Sequence, residues 1–551
     1  MHNKRQIYYF WVMKKNSLGK LWILSLISGL MLSVPYIFPH FGLVILVAFL
    51  PLLAAERIAT ENSIRHFGLC YFSAFIVWNI IATWWIWYAT PAGAVAAIIL
   101  NSLQMAFLFR LFRFLRQRYS GFLPYLALAV MWCAWEHLYQ DWQVTWPWLN
   151  LGNAFAQSIK HIQWYEVTGS TAGSIWILLA NGLIFKTLLN VSERRTAGWW
   201  AFAAVLLISV PIVLSHLRYA SYGKKIAEFS PSSAKEVVIL QPNIDPYQDK
   251  FGGKTQRQQD DILLKLAKDN ISDSTFLVVA PETFFNPSYT AGSIVENHPS
   301  NPTLDTIRRF SAKNKVNFIF GAVTQLNYPG QAEKPTRSAR PMGANTWYDY
   351  FNTAVFAGED SSLAFYHKSK LVILAETVPY IGKTSVLGFL GLDMGGGFGN
   401  FGTQSYRGLF ITPDGHKIGS AVCYESVFPN FFRDYIREEG ADFMTIITND
   451  GWWKNTSGHI QHLHYASLRA IETRRDIARS ANTGTSAIVN QRGDILQASP
   501  WWEEYAIKGL IYPNTEITPY VRYGDIAGML CCWISAAFLV MGILSRRRKL
   551  S

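Results

Sequence analysis

Eight apolar stretches constrain this chain more than any other feature, because a polypeptide carrying them has to fold in lipid. Seven come before about residue 217: Leu21–Pro39, Phe41–Ala55, Phe67–Tyr88, Gly93–Phe109, Phe122–Tyr139, Gly169–Phe185 and Trp199–His216. The eighth is Ile526–Leu544. Most approach the roughly 20 residues a helix needs to cross the hydrocarbon core. The second is short, so a tilted or re-entrant segment stays open there. The charges test the count. Lys4, Arg5, Lys14, Lys15 and Lys20 precede the first stretch, and Arg57 and Arg65 follow the second. Arg110, Arg113, Arg116 and Arg118 follow the fourth, Lys186, Arg194 and Arg195 the sixth, and Arg546, Arg547, Arg548 and Lys549 the eighth. If all eight cross, every basic cluster lies on one side, and the positive-inside rule makes that side the cytoplasm.

The expected layout follows. Residues 1–20 form a cytoplasmic N-terminus, 21–216 seven transmembrane helices, 217–522 a periplasmic domain, 523–545 an eighth helix and 546–551 a cytoplasmic C-terminus. The long segment before the last stretch is expected outside, in a periplasm-like space. A net charge of +13 with only 16% charged residues does not argue for nucleic acid, because the basic residues sit beside apolar segments. The first stretch is long and lacks a small-residue cleavage site, so it reads as retained. Cys70, Cys133, Cys531 and Cys532 lie in apolar stretches and read as packing residues.

Residues 217–522 alternate short β-branched or aromatic runs with helical ones. Val237–Gln241, Phe276–Ala280, Val316–Phe320, Thr353–Ala357, Gly408–Thr412, Gly419–Cys423 and Phe443–Thr448 read as strands. Gln258–Asn270, Leu304–Lys315 and His459–Ala478 read as helices. This alternation predicts a layered α/β extracytoplasmic domain beside a multi-span α-helical membrane domain. Gly391–Gly402 is glycine-rich and suits a loop touching lipid.

Chemistry concentrates at three strand ends. Cys423 is the one cysteine outside the apolar stretches. Glu282 follows the run 276–280, and Lys368 follows Phe365, Tyr366 and His367. A free thiol, with a pKa of about 8.5, holds little thiolate at neutral pH. A carboxylate can take its proton, and an ammonium can stabilise the resulting anion. An acyl-transfer oxyanion needs aimed donors, for which Lys368 and the Tyr424 backbone N–H are candidates. Singly, each residue has a plain structural explanation; the three contexts together point to a nucleophile with its base.

The segments Ala280–Glu282, Tyr366–Lys368 with Leu371–Pro379, and Val422–Glu425 resemble the three signatures of the nitrilase (carbon–nitrogen hydrolase) superfamily. More narrowly, they resemble its membrane-embedded bacterial branch, the apolipoprotein N-acyltransferases. Gln241–Asn243, Thr448–Trp453, His459–Glu472 and Arg479–Gly484 agree. The resemblance implies a nitrilase-like four-layer αββα sandwich with a Glu282–Lys368–Cys423 triad. Glu282 would be the base, Lys368 the oxyanion stabiliser and Cys423 the nucleophile. It further implies that Glu376 supports the lysine and that Tyr424 and Glu425 flank the nucleophile, with Lys368 favoured over Lys370. The family commonly reads Leu-Val-Pro-Phe-Gly-Glu where this chain has Leu371 to Glu376 without the Pro and Gly. The implied reaction moves an acyl chain from a phospholipid donor, phosphatidylethanolamine foremost, through a Cys thioester to the N-terminal amine of a diacylglyceryl apolipoprotein. No cofactor, metal or nucleic acid is called for, and a monomer is expected.

Two other functions stay in view. One is a membrane-anchored nitrilase-type amidase; the other is a non-catalytic lipid transporter or scaffold. His459, His462 and His464 read as packing rather than metal ligands. Trp142–Trp164 reads as an aromatic belt in preference to an interfacial segment guiding lipid toward the site, and Trp452 and Trp453 fit either an acyl pocket or a core.

Overall fold

The structure, a computed structural model, describes residues 2–64, 66–286, 292–373, 375–377 and 400–545, with side chains from residue 18 onward except 251 and 252. Arg65, most of Gly391–Gly402, and Arg546 to Lys549 lie outside the described residues.

Two compact units emerge. The first comprises residues 1–84, 94–218 and 525–551, and the second 85–93 and 219–524. In the first unit, six described helical segments are long and apolar enough to cross a membrane: Leu18–Ile37, Gly42–Glu61, Pro91–Arg116, Thr171–Ser192, Gly198–Ala227 and Ile526–Leu544. Gly68–Thr83 and Leu123–Leu138 are shorter apolar helices. The segment 42–61 opens as a 3-10 turn, Gly42–Leu46, before the helix Leu50–Glu61. Charged ends of three hydrophobic segments meet. Arg57 bonds Glu193 at 2.8 Å, and Arg113 and Arg116 both reach the buried Glu56. The opposite helix ends pair separately, His137 with Asp525 at 2.7 Å and Arg218 with Glu166 at 2.6 Å.

The second unit is built on two sheets. One runs Tyr505–Ile511, Lys235–Gln241, Thr275–Val279, Asn317–Pro329, Thr346–Ala357, Arg340–Gly343; Leu363–His367 also pairs with Thr346–Ala357. The other runs Ile495–Ala498, Ala487–Val489, Ile477–Ala481, Phe443–Thr448, Lys417–Val422, Leu409–Ile411. Their inner strands are buried almost throughout, as strands covered on both faces must be. The sheets meet through Ser480 Oγ, which donates to Leu240 O at 2.7 Å, and through stacked Phe356 and Phe410.

Outer helices complete the layers. Gln256–Asn270 starts at a Thr255–Gln258 capping box and buries Leu263 and Ala267 on the first sheet. Pro302–Asn314 starts at Asn301, whose side chain accepts from Thr303 and Leu304 N–H, and buries Leu304 and Ile307 there. Against the second sheet lie Pro429–Arg437, whose Tyr435 donates to Ser420 O, and Ser457–Thr473. The result is the four-layer αββα arrangement.

One expected element is corrected. The helix expected over 459–478 stops at Thr473, because Arg474 turns left-handed (φ 50°). Ile477–Ala481 then pairs in parallel with Met444–Thr448. The run Ile477–Ala481 is short and interrupted by Arg479 and Ser480, so no strand period sets it apart from the helix before it.

Candidate active site

Three strand ends bring the expected residues together. Glu282 follows Thr275–Val279, and its backbone passes so close to Gly321 that a β-carbon there would lie 2.5 Å from Glu282 Cα. Glycine at 321 is therefore a condition for the carboxylate's position. Lys368 follows Leu363–His367, with its N–H on Asn352 O at 2.8 Å. Cys423 follows Lys417–Val422 and opens a tight turn at φ 53°, a region residues with a β-carbon rarely occupy.

The Lys368 side chain is 1% exposed, and its Nζ donates to Glu282 Oε1 at 2.9 Å and Glu376 Oε1 at 3.0 Å. Asn352 Nδ2 bridges the same two carboxylates at 2.8 and 2.7 Å. The Cys423 thiol lies beside Glu282, close enough for each to shift the other's titration. Burial pushes the Glu282 carboxyl up, but Lys368, the bonds from Lys368 and Asn352, and the neighbouring Cys423 thiol outweigh it and hold it below its ordinary value. Burial pulls Lys368 down, yet Glu282 and Glu376 hold it well above the usual lysine range. Burial and the Glu282 carboxylate push the Cys423 thiol well up, and Lys368 offsets them only in part. The resting site thus holds a carboxylate, an ammonium and a neutral thiol: a base beside the proton it must take.

The supporting residues take different places. Glu376 joins Lys368, and its second oxygen accepts from Val372 N–H at 2.8 Å. Glu376 reaches this position without the Pro and Gly usual before it. Glu425 does not touch the lysine side chain. Its Oε1 accepts from Tyr366 Oη at 2.9 Å and Ser369 N–H at 2.6 Å, and its Oε2 from Val422 N–H at 2.8 Å. One carboxylate so bolts the backbone just after Lys368 to the backbone just before Cys423. Burial pushes Glu425 up to about 7, against the pull of those bonds. The Tyr424 ring is buried edge-on against Phe428, and Lys370 Nζ lies over Phe428.

Sequence reasoning missed two neighbours. Asn352 had a legible signal, a polar amide inside an apolar strand between Phe351 and Thr353. Lys250 had none. It is buried, donates to Thr283 Oγ1 at 2.8 Å, and is pulled down to about 8 by burial, which Glu282 offsets in part. Nearby, Trp453 packs on Trp85 at 4.7 Å and on His462 at 5.5 Å, while His459 stacks on Trp501.

Two stacked sheets inside helices, with a thiol, an ammonium and carboxylates at their strand ends, define an enzyme of the carbon–nitrogen hydrolase class. Residues 254–515 match the family described as Carbon-nitrogen hydrolase, and residues 28–183 match the Apolipoprotein N-acyltransferase N-terminal domain. A protein of Chlorobaculum tepidum named apolipoprotein N-acyltransferase is 27% identical over 96% of this chain and 98% of its own length. Another of that name, from Geobacter metallireducens, is 24% identical over 96% of both. The solved structure of a CN-hydrolase superfamily protein from Xanthomonas campestris is similar with a TM-score of 0.35 and 16% identity, covering 58% of this chain and 99% of that one. The chain belongs to the apolipoprotein N-acyltransferase family, the membrane-embedded branch of the carbon–nitrogen hydrolases.

Proposed function

We propose that this chain is an apolipoprotein N-acyltransferase working by ping-pong covalent catalysis. The observation that carries the reading is Lys368, buried between Glu282 and Glu376, in the same cluster as the Cys423 thiol. In the first half-reaction Glu282 takes the thiol proton as Sγ attacks the sn-1 ester carbonyl of a phospholipid. Lys368 and the Tyr424 backbone N–H carry the oxyanion. The C–O bond breaks, Glu282 returns its proton to the leaving alkoxide, and a lysophospholipid departs from a Cys423 thioester. In the second, the α-amine of a diacylglyceryl-cysteine attacks the thioester and gives a proton to Glu282. The C–S bond breaks, the thiolate regains the proton, and the acyl chain leaves as an amide.

The donor we favour is phosphatidylethanolamine, and the acceptor a diacylglyceryl apolipoprotein. Both carry acyl chains whose transfer into water costs about 0.8 kcal/mol per CH₂, so an enzyme with its own lipid-embedded helices lets the chains stay in the bilayer. We place the sheet unit on the periplasmic side of the inner membrane and both termini in the cytoplasm. Support comes from Arg57, Arg113 and Arg116, which gather at one end of the helical unit, as the positive-inside rule expects of a cytoplasmic end. We further take the working form as a monomer.

The test is mass spectrometry of the full-length protein in lipid. Incubation with phospholipid is expected to add one acyl group to Cys423, and a diacylated lipopeptide to remove it. An unmodified thiol on folded protein would sink the reading.

A further inference from the structure

Beside the triad, a second buried polar group is centred on Asp450. Its Oδ1 accepts from Thr448 Oγ1 at 2.8 Å and lies 2.9 Å from His462 Nδ1, and its Oδ2 accepts from Arg479 Nη2 at 2.5 Å. His462 lies on the helix Ser457–Thr473, 1% exposed. Its Nε2 is 3.2 Å from the carbonyl oxygen of Cys423 and 2.9 Å from Ser426 Oγ. Ser426 Oγ donates to that same carbonyl at 2.7 Å. The carbonyl can only accept, and the serine hydroxyl already spends its proton on it. Nε2 therefore carries a proton and donates into the nucleophile turn.

Two arms thus leave one carboxylate toward Cys423. One is the Thr448 hydroxyl, which gives its proton to Asp450 and lies beside the Cys423 sulfur. The other runs through His462 to the backbone carbonyl. Cys423 needs holding, because its φ of 53° is unfavourable for a residue with a β-carbon. Relaxation toward the extended conformation of the preceding strand would carry Sγ away from Glu282 and Lys368.

We propose that His462 is the positioning residue of the nucleophile turn: its Nε2–H pins the Cys423 carbonyl and so aims the sulfur at Glu282 and Lys368. Arg479 Nη2, 3.1 Å from Nδ1 and donating to Asp450 as well, anchors the ring from its other nitrogen. The proposal rests on the acyltransferase reading only for its kinetic consequence.

The experiment compares His462→Gln, His462→Asn and His462→Leu in the full-length protein. A glutamine amide reaches the place of Nε2, whereas an asparagine amide reaches only that of Nδ1. The first readout is Cys423 alkylation by iodoacetamide, which needs no lipid; the second is acylation by phospholipid. We expect His462→Gln to stay within about threefold of the unmutated protein in both. We expect His462→Asn and His462→Leu to lose about 100-fold in acylation kcat, with phospholipid KM unchanged, as for a misaimed nucleophile, and to alkylate more slowly. If His462→Leu does not fold, the order of Gln and Asn decides. Asn equal to or better than Gln overturns the proposal, as does a folded Leu variant at full rate. Unmutated protein that alkylates but never acylates overturns the acyltransferase reading alone, and the Gln–Asn order in alkylation still judges His462.

Discussion

Glu136 in the helical unit and Glu282 in the sheet unit are both buried carboxylates, 3% and 6% exposed, and they serve different ends. Glu136 accepts from Trp132 Nε1 at 3.0 Å, Leu151 N–H at 2.9 Å and Ser174 Oγ at 2.5 Å. Its donors are neutral and come from two helices and the turn between them, so the group works as a lock. Glu282 meets an ammonium and a thiol instead. Glu425, in the sheet unit, is of the Glu136 kind: a tyrosine hydroxyl and backbone N–H groups surround it. Burial of a carboxylate is thus shared between scaffold and site; the charge and proton inventory of its partners separates them.

Substitutions that cross this line test it. The largest effect belongs to Cys423→Ala, which should leave no acyl adduct by mass spectrometry while the protein still folds. Glu282→Gln removes the base and should slow acylation by about 10²–10⁴-fold, measured with labelled phospholipid. Lys368→Met removes an oxyanion donor and should cost about 10²–10³-fold in kcat. It also leaves two carboxylates facing each other without their cation, so thermal unfolding must be followed in parallel.

The pH dependence sharpens the contrast. Burial and Glu282 hold the Cys423 thiol up, so its alkylation rate should keep rising past the pH of about 8.5 at which free thiols half-ionise. Glu282→Gln removes one of the groups that raise the thiol, so the alkylation profile should move to lower pH even as acylation fails. A profile that stays put would contradict the electrostatic account. The smallest catalytic effect is expected from Glu136→Gln. It should lower stability by about 1–3 kcal/mol through mismatched buried bonds, seen as a lower Tm, and leave acyl transfer per folded molecule within about threefold. A large loss of kcat there would erase the distinction between lock and site.

Much of the candidate site was legible before any fold was known, because Glu282, Lys368 and Cys423 each follow a strand run, and the two stacked sheets bring those strand ends together. The strand runs themselves were readable from their β-branched and aromatic content. The helix expected over 459–478 was not, since Arg474 reverses the chain at a residue type with no special turn signal. Tyr505–Ile511 alternates weakly and escaped notice, although it pairs along the whole of Lys235–Gln241. His462 was visible as a residue and illegible as a role.

Apolar length and the placement of basic clusters come from the amino-acid order alone, because they depend on neighbours along the chain. So do the residue types at the strand ends. Only the tertiary structure decided what each buried charge faces: Asn352 against both carboxylates, Glu425 across two turns, and His462 behind Cys423. Those partners arrive from segments far apart in sequence, and periodicity says which face a residue takes but not which strand or helix comes to cover it.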